Sequence, residues 1–396
     1  MSELYELPDG WEWKKLDNLT EVNIGKTPSR SKSQYFLGDK VWLSIRDLKG
    51  DYVSDSNEKL TDEAIRDSNI KIVPKGTLLM SFKLTLGRTA FTECDLYTNE
   101  AIAALPIKDE SILDKHFLKY SIGVIDLEKE VDNAVKGKTL NKQKIRNLDI
   151  PLPPLSEQQR IVSKLDLLFE KIDKSIALHQ KNMDEANAFM GSVLNDVFGE
   201  LEEKYLKIPF FDIADVNRGK SKHRPRNDKK LFGGSYPFIQ TGDVRNANKY
   251  INTFTETYSE FGLSQSRLWG KGTICMTIAA NIGDVAILGI DSCFPDSVVG
   301  IYSENNSNDF IYYFLLTLKQ QLESEATTTA QMNINLKVLQ TIDVPLPPLN
   351  IQQKIVKYLD EISQKIEKIK QAQKAKMNSL KALKASILDQ AFKGEL

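Results

Sequence analysis

Cysteine, histidine and long apolar runs are all scarce in this chain of 396 residues. The three cysteines, Cys94, Cys275 and Cys293, show no paired spacing, and such an odd, sparse count fits a reducing compartment. The three histidines share no metal-ligand spacing, so no metal site is expected. No run approaches the length of about 18 apolar residues that a membrane span requires. The first residues lack the pattern of a signal peptide. We therefore expect a cytoplasmic protein.

Excess charge is also absent. The net charge is −1, so the whole molecule is not a polybasic nucleic-acid binder, and any such role must depend on local patches. A hydrophobic content of 41% is sufficient for packed cores, and the length favours two to three domains.

The chain carries one pattern twice. Residues 148–162 and 342–356 share the sequence Leu/Ile-Asp-Ile/Val-Pro-Leu-Pro-Pro-Leu-x-x-Gln-Gln-Arg/Lys-Ile-Val, and the offset is 345 − 151 = 194 residues, close to half of the chain. A period of this length is too large for a solenoid repeat. The chain is therefore expected to consist of two similar halves.

Each copy of the pattern precedes a long helix. Pro-Leu-Pro-Pro indicates a rigid extended segment, and Ser156 with Gln159, like Asn350 with Gln353, fits an N-terminal capping box. Apolar residues then recur at spacings of three and four, which predicts two helices of about 40 residues in a coiled coil. The stripe includes Leu165, Phe169, Ile172 and Ile176, then Leu359, Ile362, Ile366, Ile369, Leu380 and Leu383, with His179 and Gln373 as polar members.

Both halves place similar elements before the long helix. In residues 1–150, short β-branched and aromatic runs predict strands, and Ser111–Glu130 is expected to be helical. The strand runs are Lys40–Ile45, Ile70–Val73, Thr77–Phe82 and Ala101–Ile107. Residues 204–344 repeat this order, with Asp309–Glu325 as the matching helix. The expected fold class is mixed α/β, also described as α+β, with an internal repeat.

Gly25-Lys26-Thr27 and Gly219-Lys220-Ser221 suggest a phosphate-binding P-loop in each half. A P-loop also requires another glycine five residues before the glycine of Gly-Lys-Thr/Ser, and this chain has Thr20 and Ala214 at those positions. A nucleotide-dependent enzyme therefore remains only an alternative.

The residues that follow these glycines are locally basic. Such loops in an otherwise neutral protein suggest contacts with DNA phosphates, although a solvated charged loop is the commoner explanation for any one of them. The candidate residues in the first half are Lys26, Thr27, Arg30 and Lys32, and those in the second are Lys220, Ser221, Lys222, Arg224 and Arg226.

Further matched polar loops follow the predicted strands. Their Arg, Gln, Asp, Ser and Thr side chains are types that can recognise base edges in the major groove. Ordinary turn chemistry would explain any single pair, but the loops recur in both halves. The candidates are Ser44, Arg46 and Asp47 with Gln240, Thr241 and Asp243; Lys83 with Asn281; and Lys138 and Asn141 with Asn333 and Asn335.

The Asp-Ile/Val-Pro-Leu-Pro-Pro-Leu segments differ from the Asp/Asn-Pro-Pro-aromatic motif of amino methyltransferases. That motif needs an aromatic residue to stack the flipped base, and Leu155 and Leu349 occupy the position here. The chain is therefore not expected to be a methyltransferase, and no catalytic set is apparent.

Taken together, the sequence resembles the specificity (S) subunit of type I restriction–modification systems. The resemblance lies in the opening Leu7-Pro8-Asp9-Gly10-Trp11, in Gly25–Pro28, and in the two Pro-rich segments with Gln-Gln. Residues 391–396 (Ala-Phe-Lys-Gly-Glu-Leu) are also similar to the family, and residues 197–201 (Val-Phe-Gly-Glu-Leu) echo them in mid-chain. The second half lacks Leu-Pro-x-Gly-Trp.

The resemblance implies a non-catalytic DNA-recognition protein. Target recognition domains would occupy 1–150 and 204–344, and conserved helical regions 151–203 and 345–396 would form an antiparallel coiled coil. Each domain would recognise one part of a split DNA target, and the helices would set the spacer. Two methyltransferase (M) subunits would dock on the helices, and restriction (R) subunits could join. S-adenosylmethionine, Mg²⁺ and ATP would belong to those partners, with no cofactor in this chain. The alternative is a DNA-binding regulator or coiled-coil adaptor without a methyltransferase partner.

Overall fold

The chain divides into two compact units in the computed structural model, which describes residues 5–129, 140–279, 282–327 and 334–396. The first unit comprises Met1–Leu178 with Lys376–Leu396, and the second comprises His179–Ala375. Within the described ranges, no helix combines the length and apolar character needed to cross a membrane.

The described part of the first unit contains mixed sheets and short helices. Its strands are β1 Glu12–Lys15, β2 Asn23–Ile24, β3 Lys40–Leu43, β4 Tyr52–Val53, β5 Glu58–Leu60, β6 Leu78–Ser81, β7 Thr89–Thr92, β8 Tyr97–Thr98, β9 Ile102–Leu105 and β10 Asp149–Leu152. Its helices are α1 Leu16–Leu19, α2 Asp62–Ser68, α3 Lys115–Val124, α4 Lys142–Arg146 and the start of α5 Leu155–Lys204, with 3₁₀ turns at Ser33–Phe36 and Ile45–Asp47. The sheet orders are β2-β9-β6-β7-β4, β5-β3-β8 and β1-β10.

The described part of the second unit repeats this plan. Its strands are β11 Lys207–Pro209, β12 Asp215–Arg218, β13 Phe232–Phe238, β14 Tyr250–Ile251, β15 Glu256–Tyr258, β16 Leu268–Trp269, β17 Ile274–Thr277, β18 Val285–Leu288, β19 Ser292–Cys293, β20 Val298–Tyr302 and β21 Asp343–Pro345. Its helices are α6 Phe210–Ile213, α7 Thr241–Asn246, α8 Glu260–Ser264, α9 Asn308–Thr317, α10 Lys319–Thr327, α11 Leu336–Gln340 and the start of α12 Leu349–Phe392, with a 3₁₀ turn at Lys229–Leu231. The sheet orders are β12-β20-β17-β18-β14, β15-β13-β19-β16 and β11-β21. The expected mixed α/β fold with an internal repeat is confirmed.

The central strand of each larger sheet is apolar without alternation because both of its faces are covered. In β6, Leu78 and Met80 pack into the core that contains α3, whereas Leu79 packs into a separate core on the other face. In β17, Ile274 and Met276 face the core that contains α9, whereas Cys275 faces the opposite core. A strand buried on both faces appears in sequence as a continuous apolar run.

Three of the element predictions need correction. Ile70–Val73 is not a strand; Val73 makes a single bridge to Leu96, and Pro74, which follows it, has no N–H to extend a ladder. The helix predicted at Ser111–Glu130 is shorter, since it begins after the cap Asp114 and ends at Val124. The helix predicted at Asp309–Glu325 is divided between α9 and α10.

The two long helices are 50 and 44 residues long, against the expected 40 or so. In the first unit, Leu165, Phe169 and Ile172 of α5 are buried, and Ile176 and Leu380 pack against the same cluster. In the second unit, Leu359 is fully buried, Ile362 packs against its cluster, and Ile366 is 8% exposed. Within each unit, opposite ends of the two helices meet, so the helices run antiparallel.

Ile369 and Leu383 were predicted in the seam, and this is wrong because they are 47% and 48% exposed. The polar members do pair across the seam: the His179 imidazole Nδ1 and the Gln373 side-chain oxygen are hydrogen-bonded within the second unit.

The predicted caps at Ser156 and Asn350 are also wrong, because each helix begins one residue earlier, at Leu155 and Leu349. Prolines supply the first acceptors: Pro154 O accepts from Glu157 N at 2.9 Å, and Pro348 O accepts from Ile351 N at 2.8 Å. Serine and asparagine therefore lie in the first turn of each helix and do not cap it.

A short segment near residue 392 closes the core of the first unit. Phe392 is 1% exposed and packs against Phe117 of α3 with ring centroids 5.0 Å apart. The Tyr5 hydroxyl donates a 2.7 Å hydrogen bond to the Phe392 carbonyl. In the second unit, Phe198 of α5 packs in the same way against Phe310 and Phe314 of α9.

Candidate nucleic-acid interface

The Gly-Lys-Thr and Gly-Lys-Ser segments are close backbone approaches and not phosphate loops. A Cβ at Gly25 would lie 2.1 Å from Thr98 O, and one at Gly219 would lie 2.3 Å from Pro295 O. Each glycine follows a strand, β2 or β12, and no α-helix begins after it as a P-loop requires. The glycines let the chain cross the neighbouring strand and carry the basic loop outward.

Most cations of the first basic loop have partners within the domain. The Lys26 ammonium donates to Ser68 O at 3.3 Å, and Lys32 is hydrogen-bonded to the Tyr35 hydroxyl. Lys32 also lies 3.4 Å from Asp67. The Thr27 hydroxyl donates to the Glu100 carboxylate. These residues therefore stabilise the loop as well as giving it charge.

Arg30 is the most constrained cation of the first loop. Its guanidinium forms a two-bond fork with the Glu58 carboxylate, with Nη2 to Oε2 at 2.9 Å, and it lies 4.4 Å from the Phe36 ring centroid and 5.2 Å from that of Trp42. The hydrogen bonds from Arg30 lower the pKa of the Glu58 carboxyl. The guanidinium is thus held in one plane at an exposed edge of the domain.

The second basic loop is less neutralised. Among the described residues, the side-chain ammonium groups of Lys220 and Lys222 have no hydrogen-bond or ion-pair partner, and both residues are exposed. Arg224 donates to the loop carbonyls of Ser221 and His223 at 2.6 and 2.8 Å. Arg226 forms a 2.8 Å ion pair with Asp296. This loop therefore presents the greater free positive charge.

The second set of matched loops has a partly structural role. Ser44 and Asp47 form a capping box around the turn Ile45–Asp47, and Gln240 and Asp243 form the same box at α7. Asp47 also accepts a 2.7 Å bond from the Asn57 side chain. These hydrogen bonds occupy the Asp47 carboxylate, so Arg46 is the exposed side chain of the first loop.

In the second loop, Thr241 opens α7 and Gln240 is exposed. The Gln240 amide donates to Glu256 at 2.7 Å. Gln240, Glu256 and Arg226 line one cavity of about 750 Å³ together with Ser221 and Tyr258. The basic loop and the matched polar loop are thus brought together in the second domain.

The remaining candidates are capping or packing residues, or lie outside the described ranges. Asn141 caps α4 by accepting from Lys144 N at 2.9 Å, and Asn335 caps α11 by accepting from Lys337 N at 3.2 Å. The Lys83 ammonium lies 5.7 Å from the Phe82 ring centroid. Lys138, Asn281 and Asn333 fall in the ranges that the structure does not describe.

Two buried glutamines were missed as functional positions in the sequence. Gln158 of α5 donates to Ile112 O and Pro153 O, both at 2.8 Å, and accepts from Asp114 N. Gln352 of α12 makes the matching set with Pro347, Asn306 and Ser307. Each glutamine therefore fixes the α/β domain of its unit on the first turn of a long helix. The Gln-Gln pair that recurs in both copies of the repeated pattern was the feature of the sequence that could have identified these two positions.

A cluster of lysine, aspartate and tyrosine side chains, which the sequence did not predict, joins the domain of the second unit to α12. The Lys249 ammonium lies 2.7 Å from Asp309 of α9 and 2.6 Å from Asp360 of α12. The Tyr313 and Tyr250 hydroxyls donate to Asp360 and Asp309, each at 2.6 Å. Burial and the hydrogen bond to Asp309 raise the pKa of Tyr250.

The first unit has a counterpart of this group. Tyr120 of α3 donates to Asp166 of α5, at the position that corresponds to Asp360. An aspartate on each long helix therefore holds a domain tyrosine.

Each long helix also exposes a second apolar stripe, separate from the seam. On α5, Leu167, Leu178 and Phe189 are 53%, 57% and 57% exposed and follow one another at intervals of 11 residues. Eleven residues advance an α-helix by three turns and about 20°, so Leu167 and Leu178 share one face of α5 within the first unit.

The α12 stripe consists of Tyr358, Ile369 and Leu383, which are 52%, 47% and 48% exposed. Tyr358 and Ile369 are 11 residues apart and share one face of α12 within the second unit, whereas Leu383 belongs to the first unit. In the second unit, Phe189 and Ile369 line one open groove of about 590 Å³ between the helices.

Two α/β domains of one fold, each with a polar loop surface and each fixed to a pair of antiparallel helices, define a two-domain recognition protein. Among the described residues, no cluster could hold a metal ion.

The chain belongs to the family described as type I restriction modification DNA specificity domain, which matches residues 8–186 and 205–378. It is 23% identical to the MjaIX specificity subunit of a type I restriction enzyme from Methanocaldococcus jannaschii, over 100% of this chain and 95% of that one. It is 22% identical to the EcoKI specificity subunit of Escherichia coli K12, over 99% and 90%.

The same fold occurs in a solved structure concerned with complex assembly and conformational transition of the type I restriction–modification system. The TM-score is 0.74 at 21% identity, and the match covers 99% of this chain and 100% of the other. The family match, together with the relatives that are named specificity subunits, confirms the expected resemblance.

Proposed function

We propose that this chain is the DNA specificity subunit of a type I restriction–modification complex, in which each unit recognises one part of a bipartite target. The observation that carries this proposal is the repetition of one domain fold with different side chains at matched loop positions. Ser44 and Arg46 stand in the capped turn of the first domain, where the second has Gln240 and Gly242. A shared fold with different loops suits two different half-sites. The chain itself has no catalytic role in this proposal.

The unpaired cations support a phosphate-binding role for the basic loops. Lys220 and Lys222 gain little from intramolecular pairing, so their charge is available to the DNA backbone. Such contacts position a protein on the duplex, and contacts with base edges then specify the sequence.

The two long helices set the spacer between the half-sites and dock methyltransferase subunits in this proposal. The apolar stripes on α5 and α12 support the docking, since exposed Leu, Phe and Ile in a row are characteristic of interaction surfaces. An exposed apolar stripe on each long helix favours two methyltransferase subunits, and restriction subunits can join the assembly. S-adenosylmethionine, Mg²⁺ and ATP bind to those partners, and the complex acts on DNA in the cytoplasm.

Methylation mapping tests the recognition role. The chain is expressed with its cognate methyltransferase in an unmethylated host, and the DNA is sequenced for N6-methyladenine. We expect a split motif with an unspecified middle, one half of which changes when residues 1–150 are exchanged for those of another specificity subunit. A stable complex without any new methylation would contradict the proposal and favour a regulator or adaptor.

Charged substitutions in the groove test the docking role. Phe189→Asp and Ile369→Asp place a carboxylate in the surface that the methyltransferase would cover, so co-purification of the two chains should be lost. Lys181→Asp, on an exposed position of the same helix, is the matched control and should retain the complex. Retention in all three variants would refute docking on this face.

A further inference from the structure

A carboxylate occupies the same place in both recognition domains. Glu58 is the first residue of β5 and Glu256 is the first residue of β15, and these strands pair with β3 and β13 respectively. Each carboxylate accepts hydrogen bonds from one planar donor side chain on a separate loop. The donor is Arg30 in the first domain and Gln240 in the second.

Acidic groups beside basic loops are unfavourable for phosphate binding, because like charges repel across a short distance. Their recurrence therefore needs another explanation. In both domains the carboxylate orients a donor that would otherwise be flexible, and in the first domain the rings of Phe36 and Trp42 fix the plane of the guanidinium as well. Pre-ordering of this kind reduces the entropy lost when the side chain binds.

Both donors retain hydrogen-bonding capacity after they have paired. The fork to Glu58 uses the two terminal nitrogens of Arg30 and leaves its Nε–H edge without a hydrogen bond among the described residues. Gln240 gives one N–H to Glu256 and keeps a second N–H. Its carbonyl oxygen has two lone pairs, of which the capping box uses one. Each side chain can therefore still form two parallel hydrogen bonds.

We infer that Arg30 in the first domain and Gln240 in the second are base-recognising residues, and that Glu58 and Glu256 are their positioning residues. Arginine forms its two-bond contact with guanine O6 and N7, and glutamine forms its contact with adenine N6 and N7. The first half-site should then contain a guanine that Arg30 contacts, and the second an adenine that Gln240 contacts. This inference rests on the proposed function and adds the identity of one base in each half-site.

Selection of binding sites from randomised duplex DNA tests the inference without a methyltransferase. The purified full chain selects a motif, and the variants Arg30→Lys and Gln240→Leu are then compared with it. Lysine keeps the charge but loses the fork, and leucine keeps the approximate volume but loses both hydrogen bonds. Discrimination by one such contact is about 5- to 150-fold.

We expect Arg30→Lys to remove most of this preference at one guanine of one half-site and to leave the other half-site unchanged. Gln240→Leu should do the same at one adenine of the other half-site. Glu58→Gln and Glu256→Gln should weaken the same two positions by a smaller factor. Arg160→Lys removes a comparable arginine–glutamate fork on α5 and Gln159→Leu removes an exposed glutamine there, and both controls should leave the motif intact.

The inference is overturned if the selected half-sites lack a guanine and an adenine that respond separately to these variants. It is also overturned if Arg30→Lys weakens all positions equally, since that result would identify a phosphate contact. The proposed function fails in a different way, because the unaltered chain would then select no two-part motif at all.

Discussion

Two leucines that lie two residues apart, on opposite faces of α5, should separate stability from assembly. Leu165 is fully buried in the core of the first unit, whereas Leu167 is 53% exposed on the outer stripe. Replacing a buried leucine by alanine costs about 2–5 kcal/mol in the free energy of unfolding, because transfer free energy is lost and a cavity remains. Replacing Leu167 forfeits little burial, so its cost should stay below about 1 kcal/mol.

These costs translate into measurable shifts. For a unit of roughly 200 residues, each kcal/mol of stability corresponds to about 2–4 °C of melting temperature. Leu165→Ala should therefore lower the melting temperature of the first unit by about 5–15 °C. Trp11, Trp13 and Trp42 lie in the first unit and Trp269 lies in the second. Tryptophan fluorescence therefore reports mainly on the unit that contains the substitution.

In methyltransferase binding the order is reversed, and Leu167→Ala should have the larger effect of the two variants. Burial of a half-exposed leucine contributes about 1 kcal/mol, so Leu167→Ala should weaken methyltransferase binding about fivefold, measured by titration of the partner below the melting temperature. Equal thermal shifts for the two variants would refute the division of α5 into a seam and an outer stripe. Unchanged binding by Leu167→Ala would refute the role of the stripe alone.

Three further results are expected. Gln158→Ala should lower the free energy of unfolding by about 1–3 kcal/mol because it leaves buried partners unpaired, whereas Gln159→Ala, on an exposed position, should have almost no effect in the same urea titration. Gly25→Ala should lower the melting temperature by several degrees because its Cβ would meet a backbone oxygen, and Gly50→Ala, in open space, should not. Burial raises the pKa of the Asp309 carboxyl, but its hydrogen bonds outweigh burial and the net pKa is lowered. The stability that the Asp309 carboxylate contributes is thus present above the ordinary aspartate pKa and is lost as the pH falls through its pKa in the folded protein. When the free energy of unfolding is measured against pH, Asp309→Asn should therefore reduce the loss of stability at acid pH.

Each of these expectations has a contradicting outcome. Equal effects of the two glutamine variants would mean that the buried amide is not an anchor. A stable Gly25→Ala variant would mean that the loop can leave the strand without cost. If Asp309→Asn loses stability at acid pH as the unaltered protein does, another carboxyl must be responsible for that loss.

The repeat and the long helices could be predicted from the sequence because each depends on local chemistry. Pro-rich segments before periodic apolar residues predict rigid connections to helices, and the offset of 194 residues indicates two halves. The predicted caps at Ser156 and Asn350 put the start of each helix two residues too late, because a proline can occupy the position before a helix, where its carbonyl accepts the first hydrogen bonds.

The outward apolar stripe could not be separated from the seam by periodicity alone. Ile369 and Leu383 satisfy a spacing of three and four, but burial depends on which face meets the partner helix. The pairs Arg30–Glu58 and Gln240–Glu256 were also out of reach, because they join loops to strands that are distant in sequence. Charge along the chain identified the loops but not the partners that neutralise them.

The first unit contains residues from both ends of the numbering, since Phe392 and its neighbours complete a core begun by Leu16 and Phe117. Residues 179–375 are all translated before residues 376–396. The domain that is translated first is therefore the last to be finished, and until then its core lacks the Phe392 ring. A chain truncated after residue 375 should contain every residue of the second unit but leave the first unit open to proteases.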